Sequence, residues 1–163
     1  MPRARKESVE EHLPSGELKG CLLVVSDHRS LNVGHAYCLC SAGYAVYTAV
    51  TCTDVPRVLE RFCVGPIDAI VFASKVHGWH HREAERRPES IPQESDDEWQ
   101  TRNLKEVIAI VCARQANRPT VIIAEELLTP GWYDTTQEAL AAAGIEYQTY
   151  SAGDPHGILA CLR

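Results

Sequence analysis

No apolar run in this chain approaches the ~20 residues that a bilayer-spanning helix needs. The basic opening from Met1 to Lys6 has no apolar stretch behind it. Neither a membrane partner nor a signal peptide is expected, and the reading is a cytoplasmic protein. Arg and Lys are scattered among Glu and the net charge is −6, so no nucleic-acid partner is expected. The seven cysteines include no CxxC pair. Cys38 and Cys40 form only a CxC, whose side chains diverge by about 200° on a helix. The odd total and the apolar setting of Cys21, Cys52, Cys63, Cys112 and Cys161 point to reduced, mostly buried thiols rather than a disulfide framework. There is no internal repeat, no G-x-S-x-G elbow, no P-loop and no G-x-G-x-x-G. The turn from Ser26 to Ser30 lacks glycine, so a phosphate cannot reach the backbone there in the usual way.

What is present is a chain of 163 residues, 45% hydrophobic and 23% charged, enough for one ordinary domain with its own core. Residues 1–18 read as a charged N-terminal tail, and 19–163 as the domain. Cys21 to Val25 is a continuous apolar run, the pattern of a strand buried on both faces. Leu31 to Ala42 follows as a helix stopped by Gly43. Tyr44 to Val50 is β-branched and aromatic, a second strand. Thr53 or Asp54 caps a helix whose Val55, Val58, Leu59 and Phe62 share one face. Asp68 to Ala73 is a third strand. Leu104, Val107, Ile108, Val111 and Cys112 make the stripe of the next helix. Thr120 to Ala124 is a fourth strand. Thr135 to Glu138 spells a capping box, opening a helix that Gly144 stops. Ile145 to Tyr150 is a fifth strand, and Asp154-Pro155 supplies an N-cap and first-turn proline for a last helix. Strict β-then-α alternation predicts an α/β fold, a five-stranded parallel sheet with helices on both faces.

One stretch interrupts this rhythm. Residues 75–98 separate the third strand from its helix, and from Arg82 to Glu98 they are dominated by charge and proline. That composition cannot bury itself and reads as an insertion.

The close of the chain, Glu138 to Gly144 followed by Asp154 to Arg163, resembles the end of the receiver (CheY-like) domain of bacterial response regulators. Leu22 to Asp27 is similar to that family's opening strand and acidic pair. The likeness runs over residues 20–163 apart from the insertion. It implies a flavodoxin-like, doubly wound three-layer sandwich. It also implies where phosphoryl chemistry would sit: an acidic pair holding Mg²⁺, a carboxylate nucleophile at the end of the third strand, a hydroxyl after the fourth and a lysine after the fifth. The matching positions here are Ser26 and Asp27, Ala73 beside Ser74, Ala124, and Ser151, with Tyr150 in place of Ser151 if the match shifts by one residue. Alanine has no nucleophile, and the cation that would balance the phosphoryl oxygens is gone. The resemblance therefore implies a degenerate pseudo-receiver that is not an enzyme and takes no cofactor. It would serve signalling or regulation as a phosphorylation-independent interaction module. Its partner would be another protein or a second copy in a homodimer, met through a face that includes Tyr147, Thr149, Ile158 and Leu162.

The competing reading is a small-molecule or metal-binding α/β domain, an enzyme among the options, using the carboxyl edge of the sheet. Asp27, His28, Ser74 and Glu125 are its candidate ligand edge. His77, His80 and His81, three imidazoles in five residues, suit a transition metal, although their spacing matches no recognised ligand motif and solvated histidines are the commoner explanation. Ser26, Asp27 and His28 contain the residue types of a hydrolase triad without its geometry. Glu125-Glu126 has the chemistry of a general base. Trp79, Trp99 and Trp132 lie near the same edge, either framing a partner surface or pinning the insertion.

Overall fold

A computed structural model describes residues 10–63, 65–74, 96–128 and 134–162, and the architecture is that of these residues. The elements run β1 (Glu11–His12), β2 (Gly20–Val25), α1 (Arg29–Ser41), β3 (Tyr44–Ala49), α2 (Asp54–Phe62), β4 (Ala69–Phe72), α3 (Asp96–Ala113), β5 (Thr120–Ala124), a 3₁₀ turn (Glu125–Leu128), α4 (Asp134–Ala142), β6 (Gln148–Tyr150) and α5 (Gly157–Cys161). They build one mostly parallel, six-stranded sheet in the order β1-β3-β2-β4-β5-β6. The apolar runs are central because their residues face a helical layer on each side. On one face Leu23, Val25, Ile70, Phe72 and Ile123 pack with Val58 and Leu59 of α2, Leu104 and Val107 of α3 and Leu140 of α4. On the other Leu22, Val24, Val71 and Ile122 pack with Ala36 and Leu39 of α1 and Ile158 of α5. Alternate residues of one strand thus enter two different cores, so no polar residue interrupts the run.

The sheet has one strand more than the five expected. Glu11–His12, within the segment read as a tail, pairs antiparallel with Val46 and Tyr47 of β3. The Thr48 N–H donates to the Glu10 carbonyl at 2.9 Å, and the Arg57 guanidinium grips the Glu10 carboxylate with both nitrogens, at 3.0 and 2.5 Å. These contacts are made by backbone and charge, which hydropathy does not register. The last strand is shorter than the Ile145 to Tyr150 expected. The Ile145 N–H is already spent on the Leu140 carbonyl, and that of Gly144 on Ala141, closing α4 in a Schellman turn with Gly144 at φ 70. Gly43, at φ 102, ends α1 in the same left-handed conformation, as the sequence indicated.

The helix starts depart from expectation either in cap chemistry or in position. Thr53 is the N-cap of α2 but makes no side-chain capping bond; the Thr51 hydroxyl instead accepts from the Asp54 N–H at 3.3 Å. Helix α4 begins at Asp134, so Thr135 lies inside it rather than capping it. The final helix begins at Gly157, after two turns in which the Asp154 N–H donates to Ser151 and the Gly157 N–H to Asp154. Helix α3 takes in 96–98, the end of the stretch read as insertion. The rest of that stretch, 75–95, lies outside the described residues.

Gly20 has a packing reason. A Cβ there would meet Asp68 Oδ2 at 2.6 Å, and that oxygen accepts from the Cys21 N–H at 2.8 Å. Gly20→Ala should force Asp68 off this bond and lower stability by about 1 kcal/mol. Urea denaturation measures it, and an unchanged midpoint would show that Asp68 swings away freely.

Candidate functional site

Strands β2 and β4 run side by side, with Val25 opposite Phe72, so the residues just past them converge. Ser26 and Ala73 are buried there, Asp27 and Ser74 half-buried. The Ser74 hydroxyl donates to Asp27 Oδ1 at 2.6 Å. Its oxygen lies 2.5 Å from the Ser26 hydroxyl, which itself accepts from the His28 N–H at 3.0 Å. Because Ser74 gives its one proton to Asp27, Ser26 must be the donor in the short bond between the two serines. The protons therefore run one way, from the His28 amide through Ser26 and Ser74 to the Asp27 carboxylate. Asn32 of α1, also buried, donates from Nδ2 to the carbonyls of Ser26 (3.1 Å) and Ala49 (3.3 Å), tying the ends of β2 and β3 together.

A second group forms beyond β5 and β6. Ala124 ends β5 fully buried, and Glu125 and Glu126 are exposed on the turn after it. The Glu126 carboxylate accepts from the Ser151 hydroxyl at 3.2 Å and from the Ala152 N–H at 3.1 Å, fixing the turn after β6. Ser151 thus offers no cation; it is a donor to a carboxylate. Tyr150, the one-residue alternative, ends β6 buried, and its hydroxyl lies 2.7 Å from His35 Nε2. His35 Nδ1 lies 2.9 Å from the Leu31 carbonyl, which can only accept, so Nδ1 carries the proton and Nε2 accepts from Tyr150. Burial holds the His35 imidazole below the usual histidine range and pushes the Tyr150 phenol up.

Of the expected site residues, Ser26, Asp27 and Ser74 come together, the backbone of His28 joins them, and Ala73 and Ala124 lie beneath in the core. Chemically the first group is a hydroxyl relay ending on a carboxylate. It has the parts to hold a polar ligand but no nucleophilic carboxylate at the tip of β4. His77, His80 and His81, with Trp79 and Trp132, lie outside the described residues. Among the described residues no group of three His, Cys, Asp or Glu is placed to hold a metal.

The expected interaction face needs one correction. Ile158 is fully buried against the sheet and cannot meet a partner, because α5 turns it inward. Tyr147 and Leu162 are half-buried and Thr149 is exposed. A concavity of about 710 Å³ opens at the amino ends of β5 and β6, where Ile108, Arg118, Thr120, Tyr147 and Gln148 line it. It sits at the opposite end of the sheet from the hydroxyl relay.

Sequence reasoning missed His35, Asn32 and the contact between Cys38 of α1 and His156 before α5, whose Sγ and Nδ1 are 3.5 Å apart. Helical spacing could have placed Asn32, His35, Ala36 and Leu39 on one buried face, but nothing in the sequence names their partners. No family model, curated protein or solved structure matches the chain. Among the described residues no helix is long and apolar enough to cross a membrane.

Proposed function

We propose that this chain is a receiver-like domain of the flavodoxin-like, doubly wound type that has lost phosphoryl transfer and acts by binding a protein partner or a second copy of itself in signalling or regulation. The order of the parallel strands supports the fold assignment: counted in sequence they lie second, first, third, fourth, fifth, the order of flavodoxin-like sheets. One observation carries the functional half. The central strand β4 is followed at once by buried Ala73, and the next side chain, Ser74, has its hydroxyl held between Ser26 and Asp27. An alcohol in that place yields no acyl phosphate, and a lone Asp27 with two serines is a poor set for Mg²⁺, which favours a hard, near-octahedral oxygen array. Binding then falls to the outer surface, where Tyr147, Thr149 and Leu162 lie around β6 and α5.

Incubation with acetyl phosphate and Mg²⁺ should leave no acid-stable, base-labile phosphate on the chain, read by intact mass. A stoichiometric acyl phosphate on any carboxylate would sink the proposal.

A further inference from the structure

Helix α1 is long and nearly uncharged in an acidic protein. It carries no acidic residue, and its one charged residue is Arg29 at its start. Its outer face exposes Val33 (42%) and Tyr37 (77%) to solvent. Between them lies Gly34, where an added Cβ would meet nothing within 4 Å. A mid-helix glycine costs about 1 kcal/mol relative to alanine, and nothing within the described chain requires one here. One turn on, the half-buried Cys38 brings its Sγ to 3.5 Å from Nδ1 of the exposed His156.

That separation has a second meaning besides a thiol hydrogen bond. Zinc bonds of about 2.3 Å to sulfur and about 2.0 Å to nitrogen, at a tetrahedral angle of about 109°, place the two ligand atoms about 3.5 Å apart. The pair is therefore already spaced as two adjacent ligands of one tetrahedral ion. No third ligand stands with it among the described residues. Cys40, two positions along, is half-buried and packs against the core on the sheet side of α1. One copy thus offers half of a closed zinc site.

We propose that Cys38 and His156 form a zinc half-site completed by the same two residues of a second copy, giving a Cys₂His₂ centre on a two-fold axis. On binding, the two thiols release two protons to solvent, and the two thiolates neutralise the dication. The bare backbone at Gly34 lets the paired α1 helices approach closely, with Tyr37 and Val33 flanking the ion. Helix α1 brings no carboxylate to the contact between copies that each carry a net charge of −6; the nearby carboxylate is Asp154, whose charge reaches Cys38 and is offset there by the dication. This names a partner for the binding role proposed above, and rests on that role only in being self-association. It uses the start of α5, where His156 is the N-cap, and is independent of the phosphoryl argument.

The test uses the full, untagged chain, stripped with chelator and titrated with zinc alone. Light scattering should show a doubled mass, elemental analysis one zinc per two chains, and excess chelator should restore the monomer. Cobalt in place of zinc should give the absorption of a tetrahedral, thiolate-bound ion. His156→Ala, at an exposed position, should keep the circular dichroism of the parent and weaken zinc binding about 100-fold or more, beyond the 10–100-fold of an outer-shell loss. Cys38→Ser should do the same, whereas Cys112→Ser should retain the metal. No zinc uptake, one zinc per monomer, or zinc retained at full affinity in His156→Ala would each overturn the half-site. A dimer indifferent to chelator would also overturn it while leaving the binding role intact. An acyl phosphate on the chain would end that earlier reading without touching this one.

Discussion

Replacing Phe72 by alanine should lower the unfolding free energy by about 3–5 kcal/mol, among the largest effects of any single truncation in this chain. Phe72 ends the central strand β4, with Val25 of β2 on one side and Ile123 of β5 on the other. It is fully buried in the larger core, beneath α2, α3 and α4. Neighbouring strands cannot move inward to fill the space without breaking their ladders, so most of the cavity would persist. The chain's only other phenylalanine supplies the control: Phe62 is half-buried at the end of α2, under the Arg61 guanidinium at 5.1 Å. Phe62→Ala should lose about 1 kcal/mol. Urea denaturation of both variants reads the difference, and equal losses would mean that the end of β4 is not packed as described. The consequence reaches the candidate site, because Phe72 immediately precedes Ala73 and Ser74. If its ring fixes the tip of β4, Phe72→Ala should also loosen the contact between Ser74 and Asp27, seen as faster amide exchange at His28.

The parts of this molecule that were legible in the sequence are those whose cause is local. Val24 and Val25, or Ile122 and Ile123, announce a strand buried on both faces because both of their neighbours must be apolar. Gly43 and Gly144 announce helix ends because few other residues tolerate their φ. Once strand ends are placed, Ser26, Asp27 and Ser74 follow as neighbours from the parallel register alone. What escaped was held by polar or distant contacts. The first turns of α3 bury Gln100, Thr101 and Asn103, and Thr101 donates to Thr136 of α4 at 3.0 Å. A polar buried face carries no hydropathic signal, so the apolar stripe shows this helix only from Leu104 onward. Strand β1 is fastened by the carbonyl of Glu10 and the grip of Arg57 on its carboxylate, contacts that hydropathy does not register. Ile158 was assigned to the surface by analogy of position, whereas the late start of α5 turns it into the core. The pairs His35 with Tyr150 and Cys38 with His156 are 115 and 118 residues apart. Only the fold can bring them together, and no spacing rule foretells them.

Tyr150→Phe should destabilise the protein by about 2 kcal/mol, because it removes the one donor seen at a buried imidazole nitrogen. His35 Nδ1 is committed to the Leu31 carbonyl, so Nε2 would be left as a buried acceptor without a partner. The aromatic contact survives the change, since the rings meet edge to face at 5.6 Å without needing the hydroxyl. Hence the loss reports the hydrogen bond and not packing. The same pair gives the stability a direction with pH. Burial holds the folded-state pKa of His35 below the ordinary histidine value of about 6.5. As pH falls through 6.5 the unfolded chain takes up a proton at this residue that the folded chain refuses, so stability declines until the lower, folded-state pKa is passed. Above 6.5 the contribution is complete. The denaturation midpoint should therefore drop between about pH 7.5 and pH 5.5, and His35→Gln, which cannot titrate, should show a smaller drop over that window. A parent and a His35→Gln variant with parallel profiles would mean that the imidazole is protonated as readily in the folded chain as in water. In that case the bond to Tyr150 would not seal the end of β6 against solvent, and the turn fixed by Glu126 would be free to open at the carboxyl edge of the sheet.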